Sequence, residues 1–323
     1  MVAPVNDFDA ALRQFQNGHL IEAQRRLEDL VQADSQNAEA WNLLGLIEFQ
    51  KSNFADSVKL FRRAVQIDDR SAKFLTNLGS AWHANGDQRE AAECFEQALA
   101  SDPRCADART YLGILRLQQG NLDEAESNLQ AALTQSPQSW QVRLNLGNVF
   151  RERGSADAAI EQYEAALSIS PGCAEALLNL GELLMEQTRF GDAIPHLRRA
   201  TELRPRVAEV RLRLAEALRE TGEHSSATES YQRALSFKAS SFDGWMGLGL
   251  SCMALERWSE AVSSFRNAVS LQPNMVAAHA NLGKALQKTG QANEAARHLS
   301  VAGELNSVER ARHSDPRPMD QME

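Results

Sequence analysis

Residues 72–105 read AKFLTNLGSAWHANGDQREAAECFEQALASDPRC, and this stretch decides the fold of the chain. Its apolar residues recur at steps of three and four in two blocks: Leu75, Leu78 and Trp82, then Ala91, Phe95 and Ala98. Such spacing predicts two amphipathic helices. Gly86 lies between the blocks and suits the end of a helix, whereas Pro103 cannot continue one. The stretch is therefore predicted to be one helix-turn-helix unit.

The same pattern returns at intervals of 34 residues along almost the whole chain. A glycine ladder runs through Gly45, Gly79, Gly113, Gly147, Gly181, Gly249 and Gly283, with Ala215 at the missing step. Large apolar residues form a second ladder at Phe61, Phe95, Leu129, Tyr163, Leu197, Tyr231, Phe265 and Leu299. Prolines recur at Pro103, Pro137, Pro171, Pro205 and Pro273. The register predicts nine units: 4–37, 38–71, 72–105, 106–139, 140–173, 174–207, 208–241, 242–275 and 276–309.

These ladders predict an all-α fold of stacked helix pairs. Small residues in the glycine ladder allow two helices to approach closely, and the large residues fill the space beside them. A single pair cannot bury its apolar face, but stacked pairs share a continuous core. Ala, Leu, Glu, Gln and Arg dominate the sequence, and all five are good helix formers.

The order of the residue types that recur in the units resembles that of the tetratricopeptide repeat. The resemblance implies a right-handed superhelical α-solenoid in which the first helix of every unit lines the concave side. Residues 310–323 are predicted to extend the last helix to about Arg312 and then to form a disordered tail, DPRPMDQME.

Charge and composition restrict the possible partners. The formal net charge of −9 is unsuited to a nucleic-acid binder, which needs excess Lys and Arg to neutralise phosphates. No apolar run has the length of a membrane span, and the first residues, MVAPVNDFDA, do not resemble a signal peptide. The four cysteines form no CxxC pair and are predicted to be free thiols in a reducing cytoplasm.

Catalytic motifs are not found in the sequence. It has no nucleophile elbow, zinc-protease helix, phosphate loop or dinucleotide fingerprint. Its seven histidines are scattered without the spacing of metal ligands. We therefore expect a protein that is not an enzyme and needs no metal or cofactor.

The groove of the predicted solenoid is the expected binding surface. In the family resembled, places 2, 5, 6, 9, 12 and 13 of each unit face it. Asparagines occupy the sixth place at Asn77, Asn145, Asn179 and Asn281. Because an asparagine side chain both donates and accepts hydrogen bonds, such a ladder can hold a peptide backbone. This row resembles the repeat region of O-linked N-acetylglucosamine transferases, although asparagine at this place can also be ordinary consensus sequence.

Units five to seven add a second set of groove residues. Asn148, Asn179 and Arg213 resemble part of the clamp by which chaperone-binding repeats hold a terminal carboxylate, but Leu144 and Glu209 stand where that clamp has lysines. Arg213 can still pair with a carboxylate. Acidic residues including Glu182 and Glu216 suit a basic peptide, or are solvated glutamates paired with nearby arginines.

An apolar stripe is predicted at the other end of the groove. It consists of Phe8, Leu12, Phe15, Leu46 and Phe49. Exposed apolar stripes usually mark contact surfaces, so this one could receive a partner helix or a second copy of the chain. Alternatively, the first helix is rotated and the five residues belong to the core.

The leading hypothesis is a protein-interaction scaffold that binds an extended peptide or a partner helix in its groove. Two alternatives remain: the substrate-recruiting region of a glycosyltransferase or another enzyme complex, and a structural protein that self-associates as a homodimer. Because this fold occurs in unrelated processes, the repeat itself does not identify the partner.

Overall fold

The computed structural model describes residues 5–314 and contains eighteen helices over that range. The chain divides into two compact units between Ile169 and Ser170. The first unit contains α1 (Val5–Gln16), α2 (Leu20–Ala33), α3 (Ala38–Gln50), α4 (Phe54–Ile67), α5 (Ala72–Asn85), α6 (Gln88–Ser101), α7 (Ala106–Gln118), α8 (Leu122–Gln135), α9 (Trp140–Glu152) and α10 (Ala156–Ile169). The second contains α11 (Ala174–Glu186), α12 (Phe190–Leu203), α13 (Ala208–Glu220), α14 (His224–Phe237), α15 (Phe242–Ala254), α16 (Trp258–Leu271), α17 (Val276–Lys288) and α18 (Ala292–Ser314).

The prediction of an all-α fold of nine helix pairs is confirmed. Odd-numbered helices are the first helices of the repeats and even-numbered helices are the second. The break predicted at Gly86 lies between α5 and α6, where Gly86 has a φ of 97°. The last helix runs to Ser314, two residues beyond the predicted end. The predicted disordered tail, 315–323, lies outside the described residues.

The glycine ladder marks the closest approach of the two helices in a repeat. A Cβ atom placed on Gly79 would lie 2.6 Å from Cε1 of Phe95, whose side chain is fully buried. Gly147 has the same relation to Tyr163, at 2.5 Å. Real Cβ contacts are essentially never this short, so the close packing of Phe95 and Tyr163 requires glycine at these two positions.

A side chain at the fourth place of a repeat closes the turn between neighbouring repeats. Trp41 Nε1 donates to the carbonyl oxygen of Ser35 at 3.1 Å, and Trp245 Nε1 donates to that of Ala239 at 2.8 Å. Arg109, Arg143 and Arg211 donate to the carbonyls of Pro103, Pro137 and Pro205, and His279 bonds to that of Pro273. The acceptor is always six residues earlier. Four of the five ladder prolines therefore have two functions, because each lies just after a helix end and also presents a carbonyl to a side chain of the next repeat.

Successive repeats are also joined through their first helices. In the first unit α1, α3, α5, α7 and α9 contact one another in sequence, and in the second unit α11, α13, α15 and α17 do so. No comparable contacts join the second helices within the described part of either unit. Within each unit the first helices thus form the more closely packed inner layer, and the second helices form the outer layer.

All four cysteines are free thiols. Cys94, Cys173 and Cys252 are buried, and Cys105 is half-buried. Burial raises the pKa of Cys94 to about 11, with a further contribution from the charge of Glu93. This thiol therefore stays protonated and packs as a small apolar side chain.

Candidate functional site

Polar side chains of the inner layer pair with one another across repeats in the first unit. Asn77 Nδ2 of α5 donates to Asn42 Oδ1 of α3 at 2.8 Å. Beside this pair, Lys73 Nζ lies 2.8 Å from Glu39 Oε2. On the other side of α5, His83 Nε2 lies 2.8 Å from Gln118 Oε1 of α7. Side chains that tie neighbouring helices together also hold this face in a defined conformation.

Asn42 was not among the residues predicted for the groove, although it bonds directly to one of them. Its side chain is only 1% exposed, whereas Asn77 is half-buried. The fifth place of repeat two is thus part of the inner-layer support, and Asn77 is the member of the pair that reaches the surface. The sequence signal was available, since the two asparagines occupy neighbouring places in consecutive repeats.

The remaining predicted asparagines are half-buried on the inner layer of their own unit. In the first unit, Asn145 Nδ2 donates to the carbonyl of Gln141 at 2.8 Å. Asn148 Oδ1 accepts a bond of 2.8 Å from the hydroxyl of Tyr163, the large residue of the same repeat. Asn179 and Asn281 belong to the second unit, on α11 and α17.

In the second unit Arg213 is surrounded by three carboxylates. Its Nε lies 3.1 Å from Glu182 Oε1, and its terminal nitrogens lie 3.1 Å from Glu209 Oε1 and 3.5 Å from Glu216 Oε2. Burial opposes the charge, but Glu209, Glu182 and Glu216 outweigh it and raise the pKa of Arg213 above its ordinary value. The structure therefore brings three predicted site residues together: Glu182, Arg213 and Glu216. A peptide carboxylate at this place would have to compete with protein carboxylates for the guanidinium.

A hollow of about 490 Å³ opens beside Arg213 on the inner layer, between α13 and α15. Gly247 and Tyr231 line it, together with Arg219, which hydrogen-bonds to the Tyr231 hydroxyl. Burial raises the pKa of Tyr231 to about 12, although Arg219 acts in the opposite direction. The hydroxyl is thus protonated at neutral pH. The sequence signal for this hollow was the replacement of asparagine by glycine at the sixth place of repeat eight.

The predicted apolar stripe of the first unit is half-buried. Phe8, Leu12, Phe15 and Leu46 pack against the core cluster of the first two repeats, which includes Ala11, fully buried on α1. Phe49 packs against the next cluster and meets the edge of Phe54 at a centroid distance of 5.3 Å. All five side chains therefore contribute to the core while keeping part of their surface accessible.

The repeats of the chain match known sequence profiles. Two sequence profiles of the tetratricopeptide repeat match it, one over residues 8–72, 76–139, 112–174, 144–191 and 178–243, and the other over residues 249–290. The chain belongs to the tetratricopeptide repeat family. No curated protein gave a sequence match.

Solved structures of other tetratricopeptide repeat proteins share the fold. MamA is 26% identical over 51% of this chain and 97% of its own, with a TM-score of 0.50. PilF of Pseudomonas aeruginosa is 22% identical over 64% of this chain and 94% of its own, with a TM-score of 0.59. YrrB, described as having an unusual peptide-binding site, is 21% identical over 58% of this chain and 96% of its own, with a TM-score of 0.55.

Two further findings limit the chemistry of the described residues. Between residues 5 and 314, no helix is long and apolar enough to cross a membrane. Over the same range no group of three His, Cys, Asp or Glu side chains is arranged to hold a metal ion.

Proposed function

We propose that this tetratricopeptide repeat protein is a non-catalytic interaction scaffold that binds an extended segment of a partner protein along its inner layer of first helices. The observation that carries the proposal is the cross-repeat pairing of polar side chains on this layer, as in Asn77 with Asn42. Such pairing fixes amide and charged groups in place before a ligand arrives, which lowers the entropic cost of binding.

The asparagines support a role in holding a peptide backbone. An amide side chain can donate to a carbonyl and accept from an N–H, so a row of them reads the backbone and tolerates varied peptide side chains. This binding of a peptide backbone by asparagine side chains is what the resemblance to the repeat region of O-linked N-acetylglucosamine transferases implies. A substrate-recruiting role for a separate enzyme would use the same surface, and the nature of the bound partner would distinguish it from a simple adaptor.

Site-directed photo-crosslinking tests the proposal. A photoreactive residue is placed at Gln141 or Glu175, both exposed on first helices, and as a control at Glu161 or Glu229, both exposed on second helices. In native lysate, the inner-layer positions are expected to crosslink to a partner and the outer positions are not. Crosslinking confined to the outer positions would contradict the proposal.

A second measurement tests the named residues. The quadruple alanine variant of Asn145, Asn148, Asn179 and Arg213 is expected to lose the partner that wild-type protein retains. The double variant Glu161→Ala and Glu229→Ala, on second helices, is expected to keep it. An unchanged set of bound proteins with the quadruple variant would show that the groove residues are wrongly assigned.

A further inference from the structure

The hollow between α13 and α15 lies where a glycine interrupts the asparagine ladder. Gly247 occupies the sixth place of repeat eight, where repeats three, five, six and nine have asparagine. A Cβ atom on Gly247 would lie 2.2 Å from Cζ of Tyr231, so the tyrosine ring fills the space that a side chain would need. No side chain therefore stands in the groove at this place, and the surface is recessed.

The hollow has a mixed lining, in which polar and charged side chains such as Lys238 expose more surface than the large apolar ones do. Leu212 of α13 and Phe242, Met246 and Leu250 of α15 line it, and all four are half-buried. This is a concentration of large apolar side chains on a layer whose neighbouring surface carries amides and charges. Methionine and leucine side chains adapt their rotamers to the shape of a bound group. The hollow is thus suited to one large apolar side chain of a ligand.

The charge on the neighbouring first helices determines which charge is favoured in the ligand residues that flank the apolar side chain. Helices α11, α13 and α15 carry seven carboxylates against three guanidinium groups. One of those guanidiniums, that of Arg211, is directed away from this surface to the carbonyl of Pro205. The sign reverses on α17, which has Lys284 and Lys288 and no acidic residue. The acidic excess therefore lies mainly on α11, beyond α13, because α13 has as many arginines as glutamates.

We propose that this hollow binds a large apolar side chain of a partner segment whose flanking residues, on the α11 and α13 side, are Lys or Arg. The inference rests on the proposed function, since it specifies the segment that the inner layer binds. The apolar side chain supplies affinity by burial, and the basic residues supply attraction to the acidic surface and fix the direction of the segment.

The test uses the full-length chain and short fluorescein-labelled peptides, with binding followed by fluorescence anisotropy. The probe peptide has one Phe flanked by Lys and Ser. One comparison peptide has Ser in place of Phe, and another has Glu in place of Lys. The probe is expected to bind about ten- to a hundredfold more tightly than the Ser peptide, as burial of a large apolar side chain implies. The Glu peptide is expected not to bind. Raising the ionic strength is expected to lower the affinity of the protein for the probe peptide.

Protein variants locate the binding site. Met246→Ser and Leu250→Ser are expected to reduce affinity for the probe and to leave the Ser peptide unaffected. Leu203→Ser is the matched control, because Leu203 is an exposed leucine at the end of α12. The double variant Glu209→Gln and Glu216→Gln is expected to bind the probe peptide more weakly and to make that binding less dependent on salt. The outer-layer control, Glu202→Gln and Glu229→Gln, is expected to bind the probe as the wild type does. Circular dichroism confirms that each variant is folded.

The outcomes separate this inference from the proposed function. Equal binding of the Phe and Ser peptides, tighter binding of the Glu peptide, or no effect of Met246→Ser and Leu250→Ser would overturn the inference alone, provided that crosslinks still form at inner-layer positions. A partner captured at Glu175 whose crosslinked segment is acidic would also overturn it. Crosslinking at the outer positions only would remove both proposals.

Discussion

Nδ1 of His279 and Nδ1 of His298 lie 2.9 Å apart, joining α17 to α18 in the last repeat. The other ring nitrogen of His279, Nε2, lies 2.9 Å from the carbonyl oxygen of Pro273. Because a carbonyl only accepts, Nε2 of His279 must carry the proton. A neutral His279 then accepts at Nδ1, and His298 donates to it.

This pair predicts an acid-sensitive last repeat. Burial, the neighbouring His279 and Arg266 lower the pKa of His298, while Glu294 opposes them. The folded protein thus binds this proton more weakly than the unfolded chain does. The resulting stability is fully present above about pH 6.5 and is lost as the pH falls below that value toward the lowered pKa.

The variant His298→Gln is expected to flatten the dependence of the melting temperature on pH between about pH 7 and pH 5. His19→Gln, in the exposed turn before α2, is the control and is expected to leave the profile unchanged. The measurement is thermal unfolding by circular dichroism at a series of pH values. Parallel profiles for His298→Gln and wild type would contradict the assignment.

The close packing of Phe95 against Gly79 predicts that a methyl group added at position 79 lowers the stability of the fold. Gly79→Ala places a Cβ atom 2.6 Å from a fully buried ring, and overpacking of this kind costs about 1–3 kcal/mol. Gly303→Ala is the matched control, since no atom lies within 4 Å of its added Cβ, and it should stabilise α18 by about 0.5–1 kcal/mol. Thermal unfolding should therefore show a lower melting temperature for the first variant and an equal or higher one for the second.

The hydrogen bond between Asn77 and Asn42 predicts that mutation of Asn77 lowers the stability of the fold, although Asn77 is only half-buried. Asn77→Ala removes the donor and leaves a buried amide oxygen of Asn42 without its partner, at a cost of about 1–3 kcal/mol. In Asn145→Ala the lost bond is to a carbonyl of the same helix, so a smaller loss is expected. Chemical denaturation of both variants measures the difference, and equal losses would show that the cross-repeat bond contributes little.

Removal of Arg213 should destabilise the second unit. Arg213→Gln leaves Glu182, Glu209 and Glu216 without the cation that they surround. Because the site is partly exposed, we expect a loss of about 1 kcal/mol at pH 7. Arg199→Gln, which breaks the exposed pair with Glu202, should show a smaller loss when both variants are compared by thermal unfolding at pH 7.

The ladders made the fold predictable because each of their positions has one physical role. Glycine at Gly79 and Gly147 permits a close contact, and the aromatic residue sixteen places later makes it. Helix boundaries follow from Gly86 and Pro103, whose backbone preferences are local. The accessible fraction of the stripe from Phe8 to Phe49 was harder to judge, because it depends on how α1 is rotated against α3.

Two side-chain pairs that join the first and second helix of one repeat were missed, because they depend on relations between places rather than on residue types. His279 and His298 are nineteen residues apart, as are Arg143 and Gln162, whose side chains also meet at 3.4 Å. The fourth and twenty-third places of a repeat are thus neighbours. That relation is visible in the sequence only after the geometry of one repeat is known.

The turn-closing side chains have a consequence for how such a chain can change in length. The carbonyl acceptor, as in Pro103, belongs to one repeat, and the donor, as in Arg109, belongs to the next. Tryptophan, arginine and histidine all serve as donors, whereas repeats three and six have Leu75 and Leu177 at this place. Duplication of a whole repeat that carries such a donor therefore joins a donor with a main-chain acceptor at the new junction. The number of repeats, and with it the length of partner segment that can be bound, can evolve without redesign of the turns.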